Sequence, residues 1–200
     1  MREGVQFVRG NRPLILLGTS WALFLGAMLT GIVVTAPLSD QVFHRGAVGY
    51  GWLNAGWGVG AFLSALYAPQ LIAYVSARRS IAISMGALAI CMTLAPLSPV
   101  LAVAVAVYAI MGSGRGIAGV AINTGLMEQV PQHFMGRVQN TFYFAGTGLQ
   151  IVLGFLVGAV AQLNLVAGFS IIGLVYAVAF VAASWPVGSA VVVREATPVE

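Results

Sequence analysis

The chain has 200 residues, of which 60% are hydrophobic and 7% charged, with a formal net charge of +4. Soluble domains carry about 25% charged residues, so this composition argues against a water-soluble fold and makes a lipid bilayer the expected solvent. The nine basic residues, all arginine, are scattered rather than gathered into a stripe; this excludes a nucleic-acid footprint and reads as a topology signal.

At about 20 residues per span, the length leaves room for six transmembrane helices and no separate soluble domain. Residues 1–13 are expected to form a cytoplasmic lead, with Arg2, Arg9 and Arg12 ahead of Pro13. The apolar run that follows is too long for the ~7–15-residue core of a signal peptide, so it is read as a membrane span. The expected spans are 14–36, 48–74, 81–94, 100–124, 138–161 and 166–185, together a bundle over 14–186. Pro37, Ser39, Asp40, His44 and Arg45 mark the first loop, and Ser76, Arg78, Arg79 and Ser80 a tight polar turn. Pro96 and Pro99 end the third span, Gln162 and Asn164 separate the fifth from the sixth, and residues 187–200 are expected to be a mobile cytoplasmic tail. Apolar runs this long, continuous on both parities, exclude the alternation of a β-barrel.

Arginine counts give the orientation. Arg2, Arg9, Arg12, Arg78, Arg79, Arg137 and Arg194 fall on one side of the expected topology and only Arg45 on the other. The positive-inside rule therefore predicts a multi-pass protein of the cell inner (plasma) membrane with both termini cytoplasmic.

No catalytic constellation, metal-ligand spacing or cofactor motif is present, so neither an enzyme nor a metal or cofactor site is expected. His44 and His133 have no ligating neighbour at helical spacing, and Cys91 is the only cysteine. The glycine-rich residues 112–116 lie inside a span without the lysine or strand of a phosphate loop. The residue that stands out is Arg115, placed by the expected boundaries about eight residues, or ~12 Å, from the cytoplasmic end of the fourth span. Tyr108, Gly112, Arg115, Gly119 and Asn123 share a helical face with it. Two readings stand: an anion contact or gating ion pair in a polar cavity, or an arginine that snorkels to the interface. Asn54, Trp57, Ala61 and Ser64 make a similar face on the second span, as a substrate path or as an ordinary helix contact. In the fifth span Gly146, Gly148, Gly154 and Gly158 read as packing positions, and Gln150 is the one side chain there with cavity-lining chemistry.

Three stretches resemble one family. Residues 2–13 resemble the end of the central linker of major facilitator superfamily transporters, near the branch of bacterial macrolide- and siderophore-type efflux proteins. Residues 48–61 (VGYGWLNAGWGVGA) look like the second helix of that family's carboxy-terminal half. Residues 123–138 (NTGLMEQVPQHFMGRV), with Pro131, Gly136 and Arg137, are similar to the loop between its fourth and fifth helices. The loop motif at Arg78 and Arg79 keeps the basic pair but lacks the acid that often precedes it. The resemblance implies an all-α fold of two three-helix repeats, although the two triplets show no convincing sequence match. It further implies secondary active export of hydrophobic or amphiphilic small molecules by alternating access. Family members have two six-helix halves, so the expected partner is a second half or a second copy in a homodimer. A monomer would leave an arginine and several amides facing lipid. The rival reading is a non-transporting membrane subunit or a truncated transporter remnant.

Overall fold

The computed structural model describes residues 10–185. The tail and most of the lead lie outside the described residues. All regular structure among the described residues is helical: α1 Arg12–Pro37, α2 Gly46–Val75, α3 Ala77–Leu94, α4 Leu101–Gln129, α5 Gln132–Leu163 and α6 Leu165–Ser184. All six are long and apolar enough to cross a membrane. Helix is the state that lets such segments satisfy every backbone polar group internally when no water is near.

Local chemistry sets the boundaries. Pro13 sits in the first turn of α1, where its missing N–H costs nothing. α1 ends at Pro37, and the chain widens into a π-helical turn over Leu38–Val42. That turn is tied by the Ser39 hydroxyl, which donates to the Gly46 carbonyl at 2.6 Å. Pro131 caps α5, and the Asn164 side chain accepts from the Ala167 N–H at 3.1 Å to start α6.

Three connections are shorter than the sequence reading expects. The polar turn around Ser76 is a single residue: α2 ends at Val75, α3 begins at Ala77, and Arg78, Arg79 and Ser80 are helical. Ser76 makes the break with φ 89° and ψ 151°, a region normally left to glycine and costing about 1–3 kcal/mol in strain. The 162–164 turn reduces to Asn164 alone. The 125–137 segment is mostly helix, because α4 continues to Gln129 and α5 starts at Gln132. Polar side chains at a helix end are no obstacle to helix once the chain has left the bilayer, so hydropathy underestimates these lengths.

The helices pack in the order α2, α4, α3, α6, α1, α5, each lying chiefly against the next. Chain neighbours α1 and α2, like α4 and α5, touch only slightly. The core fills the centre of this row, with Met85 and Leu88 of α3, Ile122 of α4, and Phe169, Ile172 and Tyr176 of α6 all fully buried. The outermost helices turn large apolar side chains outward: Trp52, Phe62 and Leu66 on α2, and Phe144, Val152 and Phe155 on α5. These are the surfaces that lipid covers.

Candidate substrate cavity

A glycine seam brings α2 against α4. A Cβ on Gly60 would fall on the Ala109 carbonyl, one on Gly112 on the Trp57 carbonyl, and one on Gly116 on the Ser64 hydroxyl. The backbones therefore touch, and Ser113 Oγ donates across the seam to the Gly60 carbonyl at 3.0 Å. Close approach of this kind is how small residues bind membrane helices where no hydrophobic force acts between them. It also fixes the rotation of both helices, and so which side chains face α1.

What they face is a cavity of about 420 Å³ enclosed mainly by α1, α2 and α4. This volume lies within the ~300–1,000 Å³ of small-molecule sites. The walls are apolar and soft: Met28, Leu29 and Ile32 of α1, Trp57 of α2, Met92 of α3 and Met111 of α4. The polar groups are Thr35, Asn54, Tyr108, Arg115 and Tyr176.

Each polar group has a definite state. The Thr35 hydroxyl lies 2.9 Å from the Gly31 carbonyl and 3.0 Å from the Tyr108 hydroxyl. Its single proton is committed to the carbonyl, so it accepts from Tyr108. Asn54 donates one N–H to the Tyr50 carbonyl at 2.9 Å, which leaves its oxygen and second N–H for the cavity. Tyr176 is 1% exposed, held against Phe24 with ring centroids 6.4 Å apart. Its hydroxyl makes no hydrogen bond among the described residues. Arg115 Nε donates to the Met28 thioether at 3.3 Å, a weak acceptor that engages one N–H of the guanidinium.

The helix that carries Arg115 is longer than the sequence reading has it. Because α4 extends to Gln129, Arg115 lies 14 residues from either end of the helix, about 21 Å at ~1.5 Å per residue. The sequence boundaries put it much nearer one end.

Of the residues singled out from sequence, Asn54, Trp57, Tyr108 and Arg115 meet in this cavity. Asn123 and Gln150 do not line it. Asn123 is exposed two turns beyond Arg115, bonded to the Gly119 carbonyl at 2.8 Å and to Gln139 at 3.4 Å. Gln150 is half-buried on α5, and α5 contributes no wall to the cavity. Gly112 faces α2 rather than the cavity, and Ser64 fills the space opposite Gly116. Met28, Met92, Met111 and Tyr176 are lining residues that sequence reasoning missed, since an apolar or aromatic residue in an apolar span carries no signal.

The loop-motif residues are placed at the opposite end of α4 from Leu101. Pro131 is the N-cap of α5, Gly136 has open space around its α-carbon, and the Arg137 guanidinium lies 5.7 Å from the Phe134 ring centroid. Arg78 Nε donates to the Ala183 carbonyl at 2.9 Å, closing the last turn of α6, and Arg79 is exposed. Arg78 and Glu128 of α4 line one groove. Among the described residues no group of histidine, cysteine or acidic side chains could hold a metal ion. Comparison with protein-family models, with curated proteins and with solved structures finds no match.

Proposed function

We propose that this chain is a membrane transport protein, one six-helix half of a major facilitator-type secondary carrier that exports hydrophobic or amphiphilic small molecules. The observation that carries the reading is the cavity: an arginine, an amide and two tyrosines set in methionine- and tryptophan-lined walls at the middle of a 29-residue helix. Ionisable and polar groups within a membrane span are costly and by default mark a pathway.

The packing order supports the same reading. Exchanging α1, α2 and α3 for α4, α5 and α6 maps α2 on α4 to α5 on α1, and α3 on α4 to α6 on α1, while α3 on α6 maps to itself. These are the neighbour relations of two related three-helix repeats, the construction common in secondary carriers. Of the described arginines, Arg12, Arg78, Arg79 and Arg137 lie at one end of the bundle and Arg45 at the other, which supports cytoplasmic termini. The cavity is bounded on three sides by α1, α2 and α4; a second six-helix unit completes it.

Alternating access is testable without knowing the substrate. In a Cys91→Ala background, Asn54→Cys is treated in oriented membrane vesicles with an impermeant, charged methanethiosulfonate from each side in turn. A carrier exposes this position to water from both sides, and protection from one side rises when the other is trapped. Labelling from neither side, with reaction only towards lipid-phase reagents, would sink the transport reading in favour of a non-transporting subunit or remnant.

A further inference from the structure

We infer that the cavity selects an amphiphilic anion: a ligand with one oxyanion, of which a carboxylate is the simplest, on an apolar or aromatic body. The inference rests on the reading of this cavity as a substrate site and names the class of substrate it takes.

The argument is charge accounting. Arg115 brings a permanent positive charge into the cavity, since a guanidinium does not lose its proton in a protein. The acidic residues among the described residues are Asp40 and Glu128. Asp40 belongs to the turn after α1 and Glu128 to the groove beside Arg78, and neither lines the cavity. Among the described residues the guanidinium has only the Met28 thioether at 3.3 Å, which carries no charge. A charge in a membrane-spanning helix with no counter-ion among the described residues is costly, so the occupant that lowers the energy most brings a negative charge.

The other polar groups agree in sign. Tyr176 has a hydroxyl free to donate in a 1%-exposed residue, and Asn54 keeps a free N–H. With Arg115 they make a donor-rich polar set, while the Met28, Met92, Met111 and Trp57 walls accept an apolar body without demanding hydrogen bonds. A cationic amphiphile would meet the arginine with no carboxylate to offset it. The arginine's planar fork suits two oxygens of one group. An anionic lipid headgroup offers the same oxyanion chemistry as a free organic acid, so the test separates these sources.

The probes are three ligands with one body and different heads: 4-phenylbutyrate, 4-phenylbutanamide and 4-phenylbutylamine. Binding is read by quenching of Trp57 in full-length protein carrying Trp21→Phe, Trp52→Phe and Trp185→Phe, held in phosphatidylcholine nanodiscs. The carboxylate should bind at least about tenfold more tightly than the amide, and the amine most weakly. Arg115→Gln should abolish the preference for the carboxylate, and Arg115→Lys should restore part of it, because the charge returns without the fork. Adding phosphatidylglycerol distinguishes the sources: competition with the carboxylate identifies a lipid headgroup as an occupant, and no competition a free organic acid. Equal affinity for the three heads, or a preference that survives Arg115→Gln, overturns the inference. Anion selectivity without two-sided access at Asn54 would keep this inference and remove transport; two-sided access with selection of the amine would do the reverse.

Discussion

Two helix pairs, α2 with α4 and α1 with α5, are built on different contacts. In the α2–α4 seam the obstacle at Gly60 and Gly112 is backbone, the Ala109 and Trp57 carbonyls, with Gly116 against the Ser64 hydroxyl and Ser113 hydrogen-bonded across. In the α1–α5 pair the obstacle is mainly side chain. Gly18 receives the Phe142 ring, and Gly26 lies 3.0 Å from Leu149 by its missing Cβ. The first pair is a fixed wall that holds Trp57 and Arg115 in register. The second is a knob in a hole and can repack. The difference shows two packing solutions in one bundle, with the backbone-limited one beside the cavity.

The sharpest way to break this comparison is at the glycines of the fixed seam. Gly60→Ala and Gly112→Ala should each destabilise the bundle by at least about 1–3 kcal/mol, the range for overpacking a tight contact, because a carbonyl cannot rotate away. Thermal unfolding in mild detergent measures this. Gly148→Ala serves as the control: nothing lies within 4 Å of its missing Cβ, so its midpoint should hold or rise slightly through better helix propensity. An unchanged midpoint for Gly60→Ala would show that the seam is not closed.

A second experiment sharpens the contrast through rescue. Gly18→Ala should cost about 1–3 kcal/mol, and adding Phe142→Leu should recover much of it by shrinking the knob. No side-chain change at Ala109 or Trp57 should rescue Gly60→Ala or Gly112→Ala in the same way. If Phe142→Leu leaves Gly18→Ala as unstable as before, the two pairs do not differ as described.

The smallest expected effect is that of Ser113→Ala. Interhelical hydrogen bonds in membranes contribute about 0.6 kcal/mol on average, so the midpoint should fall slightly. The seam survives on its glycines, and ligand discrimination by Arg115 should persist. A loss as large as that of Gly60→Ala would move the strength of the seam from backbone contact to this one bond.

The sequence by itself determined the number of spans, their helical state and their order, because a stretch of about 20 apolar residues has no other solution in a bilayer. Pro13 and Pro37 marked the ends of α1, and Asn164 the break before α6, to within a few residues. It also marked Arg115, since a charge in an apolar run stands out without any knowledge of its neighbours. Where hydropathy was the only guide the reading fell short: it ended α4 at residue 124 because Glu128 and Gln129 are polar, whereas the helix continues to Gln129. The tertiary structure alone decided which faces meet. Helical periodicity grouped Tyr108, Gly112, Arg115, Gly119 and Asn123, but a face spans an arc wider than one neighbour. Packing divided that arc, turning Gly112 into the seam, leaving Asn123 exposed, and directing Tyr108 and Arg115 at α1. Met28 and Tyr176 joined the site for the same reason. Their place depends on contacts from helices distant in sequence, and lipid-facing, core-facing and cavity-facing apolar residues are chemically alike.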